Sequence, residues 1–394
     1  MIKVGVIFGG ESVEHEVSII SAVQAMNKID TEKYEIVPIY ITKEGEWYTG
    51  NPLREIETYK DMDLLKRYTK NVVLYKKDNR FVLQSKKGFK RIINEVDVVL
   101  PVVHGTNVED GTLQGYLKTI GVPFSGSDVL GSAIAQDKVV QKEIFENEHL
   151  PITKYVWFYD NEYNENGQEI IKKIEKELGY PVIVKPGTLG SSVGISSCDN
   201  ESELKDAIND AINYDEKIVV EEKVENLVEV NISLLGTHEN IKVSEIEEVM
   251  TDDKLLTYND KYINGSKKLG KSGMAGSSRK IPADIDNKLR EEVEKIAIEA
   301  FKAVNLSGVC RIDFLINEKK KKVYINEINS CPGSLSFYLW EPVGKDFTSL
   351  LDEMTGIAIK EYKKRTNKTH SFKTNILEGF NGLKGTKGLK GKLK

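Results

Sequence analysis

Residues 2–41 hold an apolar strand, a glycine pair, a helix-spaced segment and a second apolar strand, in that order. "IKVGVIFGG" is a nearly continuous apolar run ending at Gly9 and Gly10. "EHEVSIISAVQAMNKI" spaces its apolar residues as a helix does, and "YEIVPIYIT" is apolar again. Strands joined through a helix run parallel, and strands apolar on both faces belong to a sheet covered on both sides. The opening predicts an open parallel sheet with a ligand crevice at its strand ends. "VDVVLPVVHG" supplies a further buried strand that runs into a glycine loop.

The rest of the chain alternates strands and helices less regularly. "SDVLGSAIAQDKVVQKEIFENE" reads as one helix, "GYPVIVKP" as a strand and "NESELKDAINDAINY" as an amphipathic helix. "KIVVEEKV" and "VEVNISLLG" read as strands, and "NKLREEVEKIAIEAFKAV" as a helix. Residues 46–96 are rich in lysine and tyrosine and contain short strands such as "RFVLQSKK", whose order the pattern does not set. A chain of 394 residues exceeds one compact core, so two or three domains are expected.

Composition narrows the class of function. Forty per cent hydrophobic and 30% charged residues describe a soluble globular protein. A net charge of −5 gives no electrostatic basis for binding nucleic acid or a membrane surface. No apolar run is long enough to span a membrane and no signal-peptide pattern opens the chain, which predicts a cytoplasmic location. Cys198, Cys310 and Cys331 lack CxxC spacing, so neither a disulfide framework nor a structural zinc site is expected. They read as buried small residues in a reducing compartment.

The segment "CRIDFLINEKKKKVYINEINSCPG", residues 310–333, places charged side chains where a strand pair should be apolar. Both arms alternate with period two around a lysine-rich turn, the mark of a β-hairpin. With the turn centred near Lys320, Asp313 lies opposite Glu327 and Arg311 opposite Asn329. A one-residue slip would turn a whole strand over. Two carboxylates and an amide oxygen suit Mg²⁺ on phosphates better than Zn²⁺. Taken alone, the hairpin is better read as a polar sheet face with ordinary ion pairs.

Three more segments carry a functional and a plain reading. "KPGTLGSSVG" puts Lys185 at a strand end before a loop of small residues, either a phosphate cradle or a surface turn, and it is not a Walker A loop. "FGGESVEHEVS" places Glu14 in a strand-to-helix turn, where a carboxylate would bind an ammonium group. Its plain reading is a helix start with Ser12 as the cap. "VVHGTNVEDGTLQG" sets His104 at the exit of a buried strand, beside a crevice or merely in the core. "LLTYNDKYING" places Lys261 and Tyr262 ahead of a glycine-, serine- and lysine-rich loop at 264–280, the arrangement of a lid.

In this order the segments resemble the D-alanine–D-alanine ligase family of ATP-grasp enzymes, from Lys3 to about residue 360. Its GGxSxExEVS pattern is met by Gly9, Gly10, Ser12, Glu14, Glu16, Val17 and Ser18. HGxxxEDGxxQG is met by His104, Gly105, Glu109, Asp110, Gly111, Gln114 and Gly115. KPxxxGSSVG is met from Lys185 to Gly194, and the lid pair is Lys261–Tyr262. RxDF…ExN…PG is met by Arg311, Asp313, Phe314, Glu327, Asn329, Pro332 and Gly333.

The resemblance implies an α/β and α+β chain, with an amino-terminal open parallel sheet followed by a two-subdomain ATP-grasp fold. Its parts would be a substrate-binding domain over 1–126, a central subdomain over 127–222 and a carboxy-terminal subdomain over 223–370. A lid would lie at about 250–280. Residues 379–394, with glycine at every third position and no proline, read as a flexible basic tail instead of a collagen helix. The implied activity is ATP-dependent ligation of two D-alanines through an acyl phosphate, for peptidoglycan, by a homodimer.

The resemblance also implies roles. Asp313, Glu327 and Asn329 would hold two Mg²⁺ ions, or Mn²⁺. Lys138, Lys185, Ser192 and Lys261 would contact the phosphates, and Glu222 and Glu229 the adenine and ribose. Glu14 would anchor the donor's ammonium, linked through Ser191 to Tyr262, with His104 at the donor's carboxylate. Arg311 and the Gly333 N–H would form an oxyanion hole.

Two departures stand out. Where the family has NTxPGFT and a serine–leucine pair, this chain reads "NSCPGSLSFYLWEP". Tyr338 and Leu339 therefore fall at the acceptor's place, and that pocket transfers least well. Val108 replaces a glycine common in the His104 loop. Tyr262 favours an amino-acid acceptor, since relatives that make the D-lactate ester lack it. The altered 330–342 segment keeps a D-alanine–D-serine or other dipeptide ligase as the alternative. A nucleotide-binding relic without turnover is opposed by the intact Lys185, Lys261, Arg311, Asp313, Glu327 and Asn329.

Overall fold

The computed structural model describes residues 1–190, 193–250 and 279–371. Ser191, Ser192, Lys261, Tyr262, the tail over 379–394 and all but the ends of the expected lid lie outside the described residues.

The first sheet comprises β1 (Ile2–Gly9), β2 (Tyr34–Ile41), β3 (Trp47–Thr49), β4 (Lys70–Lys77), β5 (Arg80–Ser85), β6 (Ile92–Val96) and β7 (Val98–Val102). Its spatial order is β6-β5-β4-β3-β2-β1-β7. Only β2–β1–β7 are parallel, joined as the apolar runs predict. The region left unordered by the pattern adds antiparallel strands beside this parallel core. The reason is local. Asp78 and Asn79 take positive φ between β4 and β5, a two-residue turn that can only reverse the chain.

Helix α1 (His15–Met26) packs on one face of this sheet. Ser12 is not its cap: its hydroxyl donates to the His104 carbonyl and accepts the Glu14 N–H, and the helix starts at His15. After α2 (Met62–Tyr68), helix α3 (Thr112–Ile120) lies against the opposite face. Next come two helices where one was expected, α4 (Val129–Gln136) and α5 (Lys138–Asn147). Asp137 is extended between them, and its carboxylate accepts the Val139 and Val140 N–H groups at 2.9 and 3.0 Å. An aspartate in a helical pattern can cap a new helix instead of continuing the old one.

The second sheet holds β8 (Tyr155–Tyr159), β9 (Val182–Pro186), β10 (Ser196–Cys198) and β11 (Lys217–Glu222), in the order β10-β9-β11-β8. Helices α6 (Asp160–Glu177) and α7 (Glu201–Ala211) bury one of its faces. The third sheet holds β12 (Leu227–Thr237), β13 (Asn240–Val249), β14 (Arg279–Lys280), β15 (Gly308–Asn317) and β16 (Lys322–Asn329), in the order β14-β13-β12-β15-β16. Helix α8 (Asn287–Ala303) covers the face formed by Val230, Ile232, Cys310, Ile312, Phe314 and Ile316. Each large side chain fully buried there contributes about 1.5–3 kcal/mol. The opposite face is thereby left for residues 229, 231, 233, 311 and 313. Short α9 (Phe337–Trp340) and long α10 (Phe347–Thr366) follow, and α10 joins the amino-terminal core to this sheet through Leu351 and Met354.

Candidate active site

The hairpin pairs Arg311 with Asn329 and Asp313 with Glu327, the register read from the sequence. Its polar face does not stop at the hairpin. Asn231 on β12 lies opposite Asp313, and Glu247 on β13 lies opposite Asn231. Glu247, Asn231, Asp313 and Glu327 thus form one row across four strands, with Ser233, Arg311 and Asn329 as a second. Arg311 grips Asp313 with two bonds of 2.6 Å, and Asn329 Nδ2 donates to the same carboxylate at 3.3 Å. Glu229 shares this face of β12 and is half-buried. A bulge after Asp313 turns Asn326 to the same side. The sequence signal for the extension was the alternation Glu229, Asn231, Ser233 in "VEVNISLLG", read only as a strand.

Lys185 donates to Asn326 Oδ1 at 2.9 Å. It stands 3.2 Å from Glu221, not from Glu222. Glu221 is fully buried, 3.3 Å from Lys142, and accepts the Thr153 hydroxyl at 2.8 Å. Burial would raise its carboxyl, but Lys142 and Lys185 outweigh that and hold it at about 2. Burial pushes Lys142 down in spite of Glu221. Glu222 faces the other way and accepts the Lys154 N–H at 3.0 Å. Glu222, expected at the adenine, therefore lies on the opposite face from Lys185, and the neighbouring glutamate reaches the lysine end of the site. In "VVEEKV" the two differ by one strand position, which decides the face. Lys138, at the start of α5, lies 3.7 Å from Glu327 and donates to the Leu189 carbonyl at 2.5 Å. The helix break at Asp137 places it over the glycine loop, where its N–H bonds Gly187.

The amino-terminal sheet closes the other side. Glu14 lies against Gly190, whose Cβ, if it had one, would stand 3.1 Å from the carboxylate. Glu14, Glu109, Lys138, Gly190, Glu327 and Asn329 line one small cleft. Gly10, at φ +106°, turns the chain where any side chain would strike Val108. Val108 is itself buried, and the loop keeps a 2.9 Å bond from the Glu109 N–H to the Gly105 carbonyl. The departure at 108 leaves this turn closed.

His104 is buried, and both ring nitrogens have protein partners, the Cys331 carbonyl at 2.7 Å and Ser21 Oγ at 3.0 Å. Burial pushes it down to about 4, so the ring is neutral. The contact expected with a donor carboxylate would need one of these bonds released. Glu109 accepts the Cys331 N–H at 2.8 Å, the Ser330 hydroxyl at 3.2 Å and the Gly105 N–H at 3.0 Å. Burial, with Glu14 nearby, raises it to about 7.

The aromatic run after Gly333 is packed inside. Leu339 and Trp340 are buried, Trp340 Nε1 donates to Ser233 at 3.0 Å, and Phe337 stacks on Phe347 at 4.4 Å. Tyr338 gives its hydroxyl proton to Glu247 at 3.0 Å, and burial and Glu247 push its phenol up to about 12. A phenol has one proton to donate. Tyr338 and Leu339, expected at the acceptor's carboxylate, are thus packed inside, the phenol's proton committed to Glu247 and the leucine covered.

The donor set suits a hard cation. Asp313, Glu327 and Asn329 offer oxygen only, and a carboxylate held by arginine retains lone pairs for a metal. Among the described residues no group of three or more His, Cys, Asp or Glu side chains is gathered, so an ion here would share its shell with ligand oxygens.

Comparison with known proteins gives a consistent result. Residues 3–127 match the family model described as the D-ala D-ala ligase N-terminus, and residues 144–356 match the D-ala D-ala ligase C-terminus. The chain is 40% identical over 379 residues to a D-alanine–D-alanine ligase of Thermosipho melanesiensis, covering 96% of this chain and 99% of that protein. The solved D-alanine-D-alanine ligase of Coxiella burnetii superposes with a TM-score of 0.77 at 27% identity, over 93% of this chain and 97% of its own. The VanG D-Ala:D-Ser ligase of Enterococcus faecalis superposes with a TM-score of 0.75 at 32% identity, over 91% and 99%.

Proposed function

The chain belongs to the D-alanine–D-alanine ligase family, and from that premise we propose that it joins two D-alanines at the expense of ATP. The observation that carries the proposal is the polar row of Asp313, Glu327 and Asn329, with Lys138 beside it. Carboxylates and an amide on one face of the third sheet, with the ammonium group of Lys138 on α5 beside them, suit the binding and transfer of a phosphoryl group.

Asp313, Glu327 and Asn329 would hold Mg²⁺, which when bound neutralises phosphate charge. Lys138 and Lys185 would contact the phosphates, with Glu221 paired to Lys185. Glu229 would reach the ribose. Glu14 would hold the donor's ammonium, joined by Ser191 and Tyr262, with Ser192 and Lys261 on the phosphates. The donor's carboxylate oxygen bonds to the γ-phosphorus as the bond from that phosphorus to ADP breaks. The acceptor's amine nitrogen then bonds to the carbonyl carbon, and negative charge moves to the carbonyl oxygen. Arg311 and the Gly333 N–H would stabilise that charge. The C–O bond to phosphate breaks with its electron pair, one amine proton is released and the amide remains.

The acceptor has a second reading. VanG is a D-Ala:D-Ser ligase of comparable likeness, and the 330–342 segment departs from the family pattern. Mass spectrometry of products from ATP, Mg²⁺ and a mixture of D-amino acids tests both. D-alanyl-D-alanine as the dominant product supports the proposal, and D-alanyl-D-serine overturns the acceptor. A homodimer and a cytoplasmic location belong to the same proposal, tested by sedimentation and by cell fractionation.

A further inference from the structure

We propose that Ser21, His104 and Glu109 are positioning residues for the amide-forming step, holding the backbone of Cys331 and Ser334, on either side of Gly333, so that the Gly333 N–H faces the tetrahedral intermediate. The inference rests on the reading of Gly333 and Arg311 as the oxyanion hole.

The bonds around this loop have only one consistent direction. The Cys331 carbonyl can only accept, so His104 Nδ1 carries the proton and donates at 2.7 Å. The Ser334 N–H can only donate, and it reaches Ser21 Oγ at 2.9 Å. The Ser21 hydroxyl proton is then directed to His104 Nε2 at 3.0 Å. A neutral imidazole completes this relay, and burial, which brings the ring to about 4, keeps it neutral. From the other side Glu109 accepts the Cys331 N–H at 2.8 Å and the Ser330 hydroxyl at 3.2 Å. Both backbone polar groups of Cys331, its N–H and its carbonyl, are thus held from the amino-terminal domain.

The loop needs such restraint. Ser334, Leu335 and Ser336 are consecutive and take φ of +51°, +53° and +49°. Left-handed backbone is unfavourable for every residue with a side chain. Inside the loop the Leu335 N–H bonds Pro332 at 2.8 Å, while the Ser334 hydroxyl donates outward to Gln24 Oε1 at 2.7 Å. Ser21 and Gln24 both lie on α1, so the strained turn is held by a helix of another domain. An oxyanion donor works when it is aimed beforehand, and a displacement of about 1 Å can cost on the order of a hundred-fold.

Single-turnover rapid quench, with ADP and dipeptide measured separately, tests the inference. Ser21→Ala is helix-compatible and removes the relay's centre. ADP formation should stay within about two-fold, and dipeptide formation should slow by roughly ten- to a hundred-fold. Ser21→Thr, which keeps the hydroxyl, should restore most of the rate. His104→Asn keeps a donor at the Nδ1 position and His104→Gln an acceptor at the Nε2 position, so each should lose less than His104→Ala. Dipeptide formation that keeps pace with wild type, or equal slowing of both steps with a lowered unfolding temperature, overturns the inference. Arg311→Lys separates the two levels. If it slows the dipeptide step while Ser21→Ala does not, only the positioning role falls. If neither slows it, the oxyanion reading falls with it.

Discussion

The Tyr338 phenol donates to Glu247 at 3.0 Å, and the Arg279 guanidinium lies 4.1 Å above the same ring. Arg279 also approaches Glu247 to 3.3 Å, and Asn231 donates to that carboxylate at 3.0 Å. Tyr338→Phe keeps the ring and deletes one bond to a buried charge. Stability should fall by about 1.5–3 kcal/mol, while acceptor kcat/KM should stay within about three-fold. A ten-fold fall in acceptor kcat/KM with unchanged stability would return Tyr338 to the acceptor site.

The adjacent glutamates should separate cleanly. Glu221→Gln leaves Lys142 and Lys185 buried without their common carboxylate, a loss of about 3–5 kcal/mol for a broken buried pair. The KM for ATP should rise with it. Glu222→Gln keeps an oxygen for the Lys154 N–H and should change both quantities little. Urea unfolding and ATP kinetics on the two variants decide it, and the reverse order would place the lysines' partner at Glu222.

The metal floor predicts loss of turnover with the fold retained. Asp313→Asn and Glu327→Gln each remove a negative oxygen ligand, and ligation should fall by about a hundred-fold or more at fixed Mg²⁺. Circular dichroism should be unchanged. Near-normal ligation by either variant would remove that residue from the metal site.

His104 and Glu109 should give opposite pH signatures. His104 is held at about 4 when folded against an ordinary 6.5, so as pH falls from 6.5 the unfolded chain gains a proton that the folded chain refuses, and stability is lost. Glu109 is held at about 7 against an ordinary 4.5, so stability is lost as pH rises from 4.5 to 7. Each effect is worth about 3 kcal/mol in full, and between 4.5 and 6.5 they offset. Compared with wild type, His104→Asn should gain stability on acidification through this window and Glu109→Gln should lose it. Urea unfolding at a series of pH values measures both, and variants that run parallel to wild type would remove the effect.

What the sequence determined by itself was whatever depends on period and local order. Alternation in "RIDFLIN" and "VYINEIN" was enough to pair Asp313 with Glu327, because a hairpin with a short turn has few registers and only one buries Ile312 and Phe314. Apolar runs likewise sufficed for β1, β2 and β7. The tertiary structure alone decided what brings distant segments together. Glu247 and Asn231 join the polar row because β12 pairs with both β13 and β15, and Ser21 meets Ser334 because α1 docks on a loop 313 residues away in the chain. The pairing of Glu221 with the lysines and the break at Asp137 were not legible for a related reason. A single strand position or one capping carboxylate changes which face a side chain takes, and only packing selects between them.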